Sequence, residues 1–456
     1  MAHGKRRRGV PAPVVGVAGL GYMGLATGLA FARRQVPTVA YDIRPELRRT
    51  LRSGKTSIHE DGLRALLRDE VRSGRFVVVD RWDDLVGRAN VIFLCLPTPR
   101  GPGGRIDLRP IRQGVREAGA ALRGRTGYRL LVVKSTVVPG TTEGVVRPLL
   151  ERISGRDSTT LGVASNPEFL AEGNMVRDAL DPERIVVGVS GPREERLLRS
   201  VYRTFPAPVL SLTPTEAELV KYASNAFLAL KVTFANEVSR LVERVGGNID
   251  RVMEGVGRDS RVGSKFLSAG PGFGGSCFEK DVAALVSRAR ELGVPFPLLG
   301  QLTTANRTQT RHATALVRDA VGDLRGRSIA LLGLTFKAGT DDVRESRALP
   351  IAEDLVRAGA TVRAHDPVAT EKFRSVWEKN RPRGGNRLSF CSTVEESLQK
   401  ADAAVIQAAW PIYRRWPARW AKLMRRPLVV DLRRGIAEPL RHRGDFEWVG
   451  LGVARE

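Results

Sequence analysis

Few backbones are open to the stretch between residues 14 and 42. Residues 14–18 (Val-Val-Gly-Val-Ala) are an apolar run of strand composition that ends in Gly19-Leu20-Gly21-Tyr22-Met23-Gly24. A helical stretch follows over 25–34, and a second strand pattern over 38–41 ends at Asp42. Strand, glycine-rich turn, helix, strand and acid, in that order, open a doubly wound parallel sheet. Gly19 permits the tight turn, Gly21 lets backbone approach a pyrophosphate, and Gly24 lets helix pack on strand. The helix start then offers N–H groups and a positive dipole end to phosphates. Asp42, placed to accept from ribose hydroxyls, points to NAD rather than NADP, although Arg44 beside it would suit a 2′-phosphate.

Further apolar runs at 76–79, 91–96, 130–133 and 185–189 predict a mostly parallel sheet over about the first 210 residues. Thr213 or Thr215 can then cap a helix running to Val245, stopped by Gly246-Gly247. Leu219, Tyr222, Ala226, Leu230, Phe234, Val238 and Leu241 recur at three- and four-residue steps and predict its apolar face. A second α/β unit opens at Arg327, with a strand over 328–333, a helix over 349–358, a strand over 361–364 ending at His365-Asp366, and strands near 403–406 and 428–431. It lacks the full glycine fingerprint, so a ligand other than NAD is expected there. The expected fold class is α/β: two Rossmann-like doubly wound domains joined by a long central helix and a helical region.

At 456 residues the chain exceeds one ordinary core. An apolar fraction of 42% and a charged fraction of 27% are those of a globular protein, and no apolar run approaches a bilayer span. The start, MAHGKRRRGVPAP, lacks the apolar core of a secretory signal and is expected to be a flexible basic lead. Three widely spaced cysteines, Cys95, Cys277 and Cys391, suit a reducing cytoplasm. The net charge of +25 is spread along the chain and interleaved with acids, without a nucleic-acid-binding pattern. It implies a field attractive to anionic small molecules, with no nucleic acid or membrane partner expected.

Four more stretches carry chemistry. Gly270-Pro271-Gly272-Phe273-Gly274-Gly275-Ser276-Cys277-Phe278-Glu279-Lys280-Asp281 is a loop built for close backbone approach, followed by a thiol at a helix start. That environment favours a thiolate nucleophile. Lys221 and Asn225, at i and i+4, share a helix face and can present a cation and an amide to an oxyanion. Asn166-Pro167-Glu168-Phe169-Leu170-Ala171-Glu172-Gly173 holds two carboxylates around an apolar pair. Lys134-Ser135-Thr136 ends a strand in polar groups at the sheet's carboxyl edge, where open α/β folds bind ligands.

Taken together, these stretches resemble the UDP-glucose 6-dehydrogenase group of the UDP-glucose/GDP-mannose dehydrogenase family. The most specific motifs are NPEFLAEG (166–173), the Lys221–Asn225 pair, GFGGSCFEKD (272–281) and GLTFKAGTDDVRES (333–346). The resemblance implies a basic N-terminus over 1–13, an NAD domain over 14–212, a central dimerisation domain over 213–325 and a UDP-binding domain over 326–456. It implies Cys277 as nucleophile, Lys221 and Asn225 as oxyanion partners, and Asp281, Glu168 and Thr136 as managers of protons and water. The NAD contacts implied are Gly19, Gly21, Tyr22, Met23, Gly24, Asp42, Thr98, Thr136, Glu172, Lys280 and Arg344. Those implied for the nucleotide sugar are Glu168, Phe169, Leu170, Lys221, Asn225, Phe266, Phe273, Gly274, Phe336, Lys337 and Arg433. Arg261 would reach the substrate of a second subunit in a homodimer, and no metal is expected.

The chain departs from the family's pattern in places. Glu279 stands where many relatives have proline, Leu47 where a base is common, and Ala408-Ala409-Trp410 where Thr-Glu-Trp is commoner. Ser276 and Lys280-Asp281 disfavour the enzymes of N-acetylated sugars, and UDP-glucose is favoured over GDP-mannose. A single-step hydroxyacid dehydrogenase, which also begins with such a glycine turn, would not need Cys277.

Overall fold

The computed structural model describes residues 13–380 and 385–454; all of the basic lead except Pro13 lies outside them. The chain forms two compact units that divide between Ala223 and Ser224.

Eight strands make the sheet of the first unit: β1 (Val15–Ala18), β2 (Thr38–Tyr41), β3 (Phe76–Val78), β4 (Val91–Leu94), β5 (Arg129–Val133), β6 (Leu161–Ser165), β7 (Ile185–Gly188) and β8 (Val209–Leu212). Their order is β3-β2-β1-β4-β5-β6-β7-β8. The first six run parallel, β7 meets β6 antiparallel, and β8 follows β7 in parallel. Strands such as Val91-Ile92-Phe93-Leu94 are apolar at every position because both faces are covered. Leu25, Leu29 and Phe31 of the helix Tyr22–Arg33 pack with Phe93 and Val132 on one face. Leu85, Ile111 and Val115 pack with Ile92, Leu94 and Leu131 on the other.

The long helix is Pro214–Val245, 32 residues. Thr213 begins it with a capping box: its hydroxyl accepts from Glu216 N–H while Glu216 Oε2 accepts from Thr213 N–H at 2.8 Å. Gly246, at φ +87°, follows its end in the left-handed region. Its apolar positions are divided between the buried and the exposed side. Tyr222 and Ala226 are buried, but Leu219, Phe234 and Leu241 are 45%, 48% and 62% exposed. Small and polar residues (Ala217, Asn225, Ala229, Thr233, Asn236 and Ser239) fill the inner face, where close packing favours low volume. The large side chains Phe227, Phe234 and Leu241 instead form an outward stripe at seven-residue steps.

The second unit holds β9 (Ser328–Leu332), β10 (Thr361–His365), β11 (Leu388–Phe390), β12 (Ala403–Ile406), β13 (Leu428–Asp431) and β14 (Glu447–Gly450). Their order, β11-β10-β9-β12-β13-β14, is that of the first six strands of the other sheet, and every pairing is parallel. Ala235, Val242, Ile249, Met253, Ala313 and Val317 from the helical segment share one core with Ile329, Leu331, Val405 and Val430. Trp416, Trp420 and Tyr413 cover the opposite face.

Candidate active site

In the first unit the candidate residues gather at the carboxyl edge of parallel strands. Gly19 follows β1, Thr98 lies beyond β4, Thr136 beyond β5 and Glu168 beyond β6. The strand order reverses between β1 and β4, which is where open α/β sheets leave a crevice. Gly19 adopts φ +94°, and a Cβ there would stand 2.5 Å from the Cys95 carbonyl oxygen. A Cβ on Gly24 would stand 1.8 Å from the Gly19 carbonyl oxygen, so neither can be replaced without moving backbone. At Gly21, the N-cap residue of Tyr22–Arg33, nothing lies within 4 Å of a built Cβ. That leaves an open cradle over the first turn, which fits a dinucleotide pyrophosphate.

Asp42 is buried at the end of β2. Its Oδ2 accepts from Leu20 N–H at 2.8 Å, and its Oδ1 from Arg44 N–H at 3.0 Å and Nε at 2.9 Å. Burial pushes this carboxyl up, but the Arg44 side chain and the two backbone donors outweigh it and hold the group below the usual range. Arg44 therefore turns onto the acid, which stays ionised and suited to ribose hydroxyls.

Beyond β5 and β6 lies a charged cluster. Lys221 Nζ, on the long helix, stands 2.9 Å from Glu168 Oε1, and Glu168 Oε2 accepts from Leu170 N–H at 2.6 Å. Burial raises Glu168, yet Lys221, Leu170 N–H and Lys134 together leave it lowered. Lys134 Nζ donates to Asn166 Oδ1 at 3.0 Å, and burial brings this ammonium down to about 8 against the attraction of Cys95 and Glu168. Thr136 is half-buried beside this cluster's strand, and the Arg184 guanidinium lies 4.2 Å over the Phe169 ring. Sequence reasoning missed Glu60. Its carboxylate accepts from Gly173 N–H at 2.8 Å and Met175 N–H at 2.6 Å, fixing the end of the 166–173 loop from 113 residues away.

In the second unit Asn225 Nδ2 donates to Asp281 Oδ2 at 2.7 Å, and Lys280 Nζ donates to Asp281 Oδ1 at 2.6 Å. Asp281 is in the first turn of the helix Phe278–Glu291, whose N-cap residue is Cys277. Cys277 is half-buried, with Ser276 Oγ 3.6 Å from its Sγ. The other two cysteines are buried, and burial pushes the Cys95 thiol up to about 12.

The glycine loop before Cys277 is held by side chains rather than by a strand. Asn236 Oδ1 accepts from Gly270 N–H at 2.8 Å, and Gln309 Nε2 donates to Gly270 O at 2.8 Å. Thr310 Oγ1 donates to Pro271 O, and Asn306 bonds both the N–H and the carbonyl of Phe273, at 2.8 and 2.9 Å. Asn306, Gln309 and Thr310 share one face of the helix Leu302–Val321. Their i, i+3, i+4 spacing was a sequence signal, unread because polar residues on a helix usually face solvent. Arg433 Nη2 donates to Gly272 O at 2.8 Å, and burial with the like charges of Arg434 and Arg347 brings Arg433 down to about 10. The Phe336 ring packs on Gly275, where a Cβ would approach it to 3.0 Å, and Lys337 Nζ lies 5.7 Å from the ring's centre. Gly274 lies in this loop and Phe273 is buried beneath it.

Other expected residues face outward. Arg344 forks onto Asp342 at 2.7 Å and is largely exposed. Arg261 is 87% exposed, its fork on Asp259 at 2.6 Å, and Phe266 is exposed at φ +66°.

Three family profiles match in chain order. They are the NAD-binding domain of the UDP-glucose/GDP-mannose dehydrogenase family over residues 14–206, its central domain over 215–308, and its UDP-binding domain over 330–438. A UDP-glucose 6-dehydrogenase of Rhizobium meliloti is 38% identical over 95% of this chain and 98% of its own. One of Bacillus subtilis is 35% identical over 91% of this chain and 88% of its own. Among solved structures, a UDP-glucose dehydrogenase from Pyrobaculum islandicum aligns with a TM-score of 0.88 at 38% identity, covering 98% of this chain and 99% of its own.

Proposed function

The chain belongs to the UDP-glucose/GDP-mannose dehydrogenase family, and from that premise we propose that it oxidises UDP-glucose to UDP-glucuronate with NAD through a covalent intermediate on Cys277. The observation that carries this reading is Cys277 itself: a half-buried thiol at a helix N-cap, behind a loop caged by Asn236, Asn306, Gln309 and Thr310. The names of the relatives favour UDP-glucose over GDP-mannose. Gly19, Gly21, Tyr22, Met23 and Gly24 would hold the NAD pyrophosphate and Asp42 its ribose, with Thr98, Thr136, Glu172, Lys280 and Arg344 as further contacts. Held there, NAD would supply the hydride acceptor for each of the two oxidations that take the sugar C6 alcohol to carboxylate with one water consumed.

The chain's own groups divide the remaining work. Cys277 Sγ adds to the aldehyde carbon, forming a C–S bond and an oxyanion, and that adduct becomes a thioester on the second oxidation. Lys221 and Asn225, one helical turn apart, stabilise oxygen charge as donors. Glu168, held ionised by Lys221, accepts a proton from the hydrolytic water, which Thr136 helps to place. Asp281 orients Asn225 and Lys280. Water attack breaks the C–S bond, releases the carboxylate and returns the thiol. Tethering the aldehyde prevents its escape between the two oxidations. Phe336, Lys337 and Arg433 would contact the uridine diphosphate, and Phe169, Leu170, Phe266, Phe273 and Gly274 would line the sugar's surroundings.

The functional division follows the three stretches 14–212, 213–325 and 326–456. A homodimer is supported by the outward apolar stripe of Phe227, Phe234 and Leu241, and Arg261, exposed on this unit, would serve the substrate of the partner. No helix among the described residues is long and apolar enough to cross a membrane, and three thiols suit a reducing cytoplasm. The test is NADH formed per UDP-glucose consumed, beside GDP-mannose, dTDP-glucose and UDP-N-acetylglucosamine. Two NADH per UDP-glucose, lost in Cys277→Ala, is expected; one NADH, or full turnover in Cys277→Ser, would defeat the covalent route.

A further inference from the structure

Glu279 lies in the first turn of the nucleophile's helix, two residues beyond Cys277, and is only 5% exposed. A buried carboxylate is costly unless a cation answers it. Two guanidinium groups do so. Arg307 Nη2 stands 3.5 Å from Glu279 Oε1, and Arg347 Nη2 stands 3.7 Å from Glu279 Oε2. Arg347 is itself 6% exposed, donates through Nε and Nη2 to the Glu345 carbonyl at 3.0 and 2.7 Å, and also pairs with Glu345 Oε2 at 3.2 Å.

Arg347 closes the strap 344–347, and that strap is interlocked with the glycine loop. Gly275 N–H donates to Arg344 O at 3.0 Å. A Cβ on Gly274 would stand 2.4 Å from Glu345 O, and one on Gly272 would stand 3.3 Å from Arg347 Cδ. Glu345 holds φ +50°, a conformation that costs free energy for a residue with a side chain and persists only where neighbours enforce it. One ion pair therefore joins the nucleophile's helix to the strap that grips the loop in front of the nucleophile. A proline at 279, common in the family's pattern, could form no such pair.

We propose that Glu279 and Arg347 are a pair of positioning residues: their ion pair keeps the 344–347 strap and the glycine loop in register with Cys277. The proposal rests on Cys277 being the nucleophile. It makes the two side chains interdependent, so that the losses of the single variants do not add.

The test is a double-mutant cycle with Glu279→Gln, Arg347→Gln and the double variant, read in two ways. The first is alkylation of Cys277 by iodoacetamide at fixed pH without substrate, with Cys277→Ala as blank. The second is kcat and KM for UDP-glucose in the full-length protein. Arg347→Gln is expected to slow alkylation ~10-fold and to lower kcat more than it raises KM, since a misplaced reacting group costs rate before binding. The double variant loses no more than Arg347→Gln alone. If Arg347→Gln does not fold, Arg347→Lys keeps the alkylation rate within ~3-fold because it keeps the charge, and Glu279→Gln alone slows alkylation ~3-fold or more because it breaks the same pair. Additive losses in the cycle, or an alkylation rate in Glu279→Gln equal to that of the wild type, would overturn the proposal. Absence of NADH from the wild type with the alkylation coupling intact would remove the substrate reading and leave the ion pair's role standing.

Discussion

Gly19, at φ +94°, follows β1 and donates its N–H to Tyr41 O, while Leu20 N–H reaches Asp42 at 2.8 Å. Gly333, at φ +85°, follows β9 and donates to His365 O, while Leu334 N–H reaches Asp366 at 2.8 Å. The two sheets thus turn from first strand to helix with one device, in the same strand order. They differ in what occupies it. Asp42 spends its remaining capacity on Arg44, a side chain more than half exposed and able to yield to a ribose. Asp366 also accepts from Thr335, from the N–H groups of Val368 and Ala369, and from Trp410 Nε1 at 3.1 Å. Past the turn the first sheet has Gly21, open above its Cβ position, where the second has Thr335 and then Phe336, whose ring rests on Gly275. A shared backbone does not confer a shared ligand; the side chains that fill or vacate the crevice do.

The largest effect that would break this comparison is on stability. Asp366→Ala leaves several buried donors without their acceptor and should lower the unfolding free energy by ~4 kcal/mol, while NAD affinity of the folded fraction stays unchanged. Chemical denaturation and calorimetric NAD titration read both; an NAD loss matching that of Asp42→Ala would mean that the second sheet also serves the dinucleotide. Gly21→Val comes next. Open space allows the fold, but the side chain fills the cradle, so NAD should bind ~100-fold more weakly, about 2.7 kcal/mol, with UDP affinity unaltered.

Asp42→Ala should weaken NAD ~10-fold, the worth of one charged hydrogen-bonding partner, with a smaller fall in melting temperature than Asp366→Ala causes.

The smallest effects lie in pH dependence, and there the units oppose each other. Glu218, in the first unit, accepts from Gly140 N–H and from both Thr142 donors, yet burial raises it to about 7. The folded state then holds a proton that the unfolded state releases, so this contribution is full at low pH and is lost as pH rises from about 4.5 to about 7. His365, buried against Tyr413 in the second unit, is lowered by burial. Its contribution is present above about 6.5 and is lost as pH falls through the folded value. Melting curves from about pH 5 to about pH 8 should lose the neutral-side decline in Glu218→Gln and the acid-side decline in His365→Asn, each by a few degrees. Unchanged curves in both variants would refute this account.

Much of the first sheet was legible because its signals are local. The strand 38–41 stands as read, the apolar run at 91–96 contains β4, and the run at 130–133 lies within β5. β6 and β8 went unseen: Leu161-Gly162-Val163-Ala164-Ser165 is short and small, and its Gly162 is needed because a Cβ there would meet the Tyr128 hydroxyl at 2.1 Å. β11 and β14 are three- and four-residue strands that only neighbouring strands make into a sheet. On the long helix the apolar spacing foretold the helix but not which of its residues are buried, since volume as well as polarity decides what fits against a core.

What the sequence determined by itself were the features that short-range sterics impose: glycines at positive φ, helix starts, strand runs and the order of motifs that identifies the family. What only the tertiary structure decided was which distant groups complete each site. Glu60 finds Gly173, Asn306 finds Phe273, Arg347 finds Glu279, and Trp410 closes the Asp366 clasp. A polar side chain's worth depends on whether a partner waits for it once water is removed, and no local pattern along the chain encodes that partner's position.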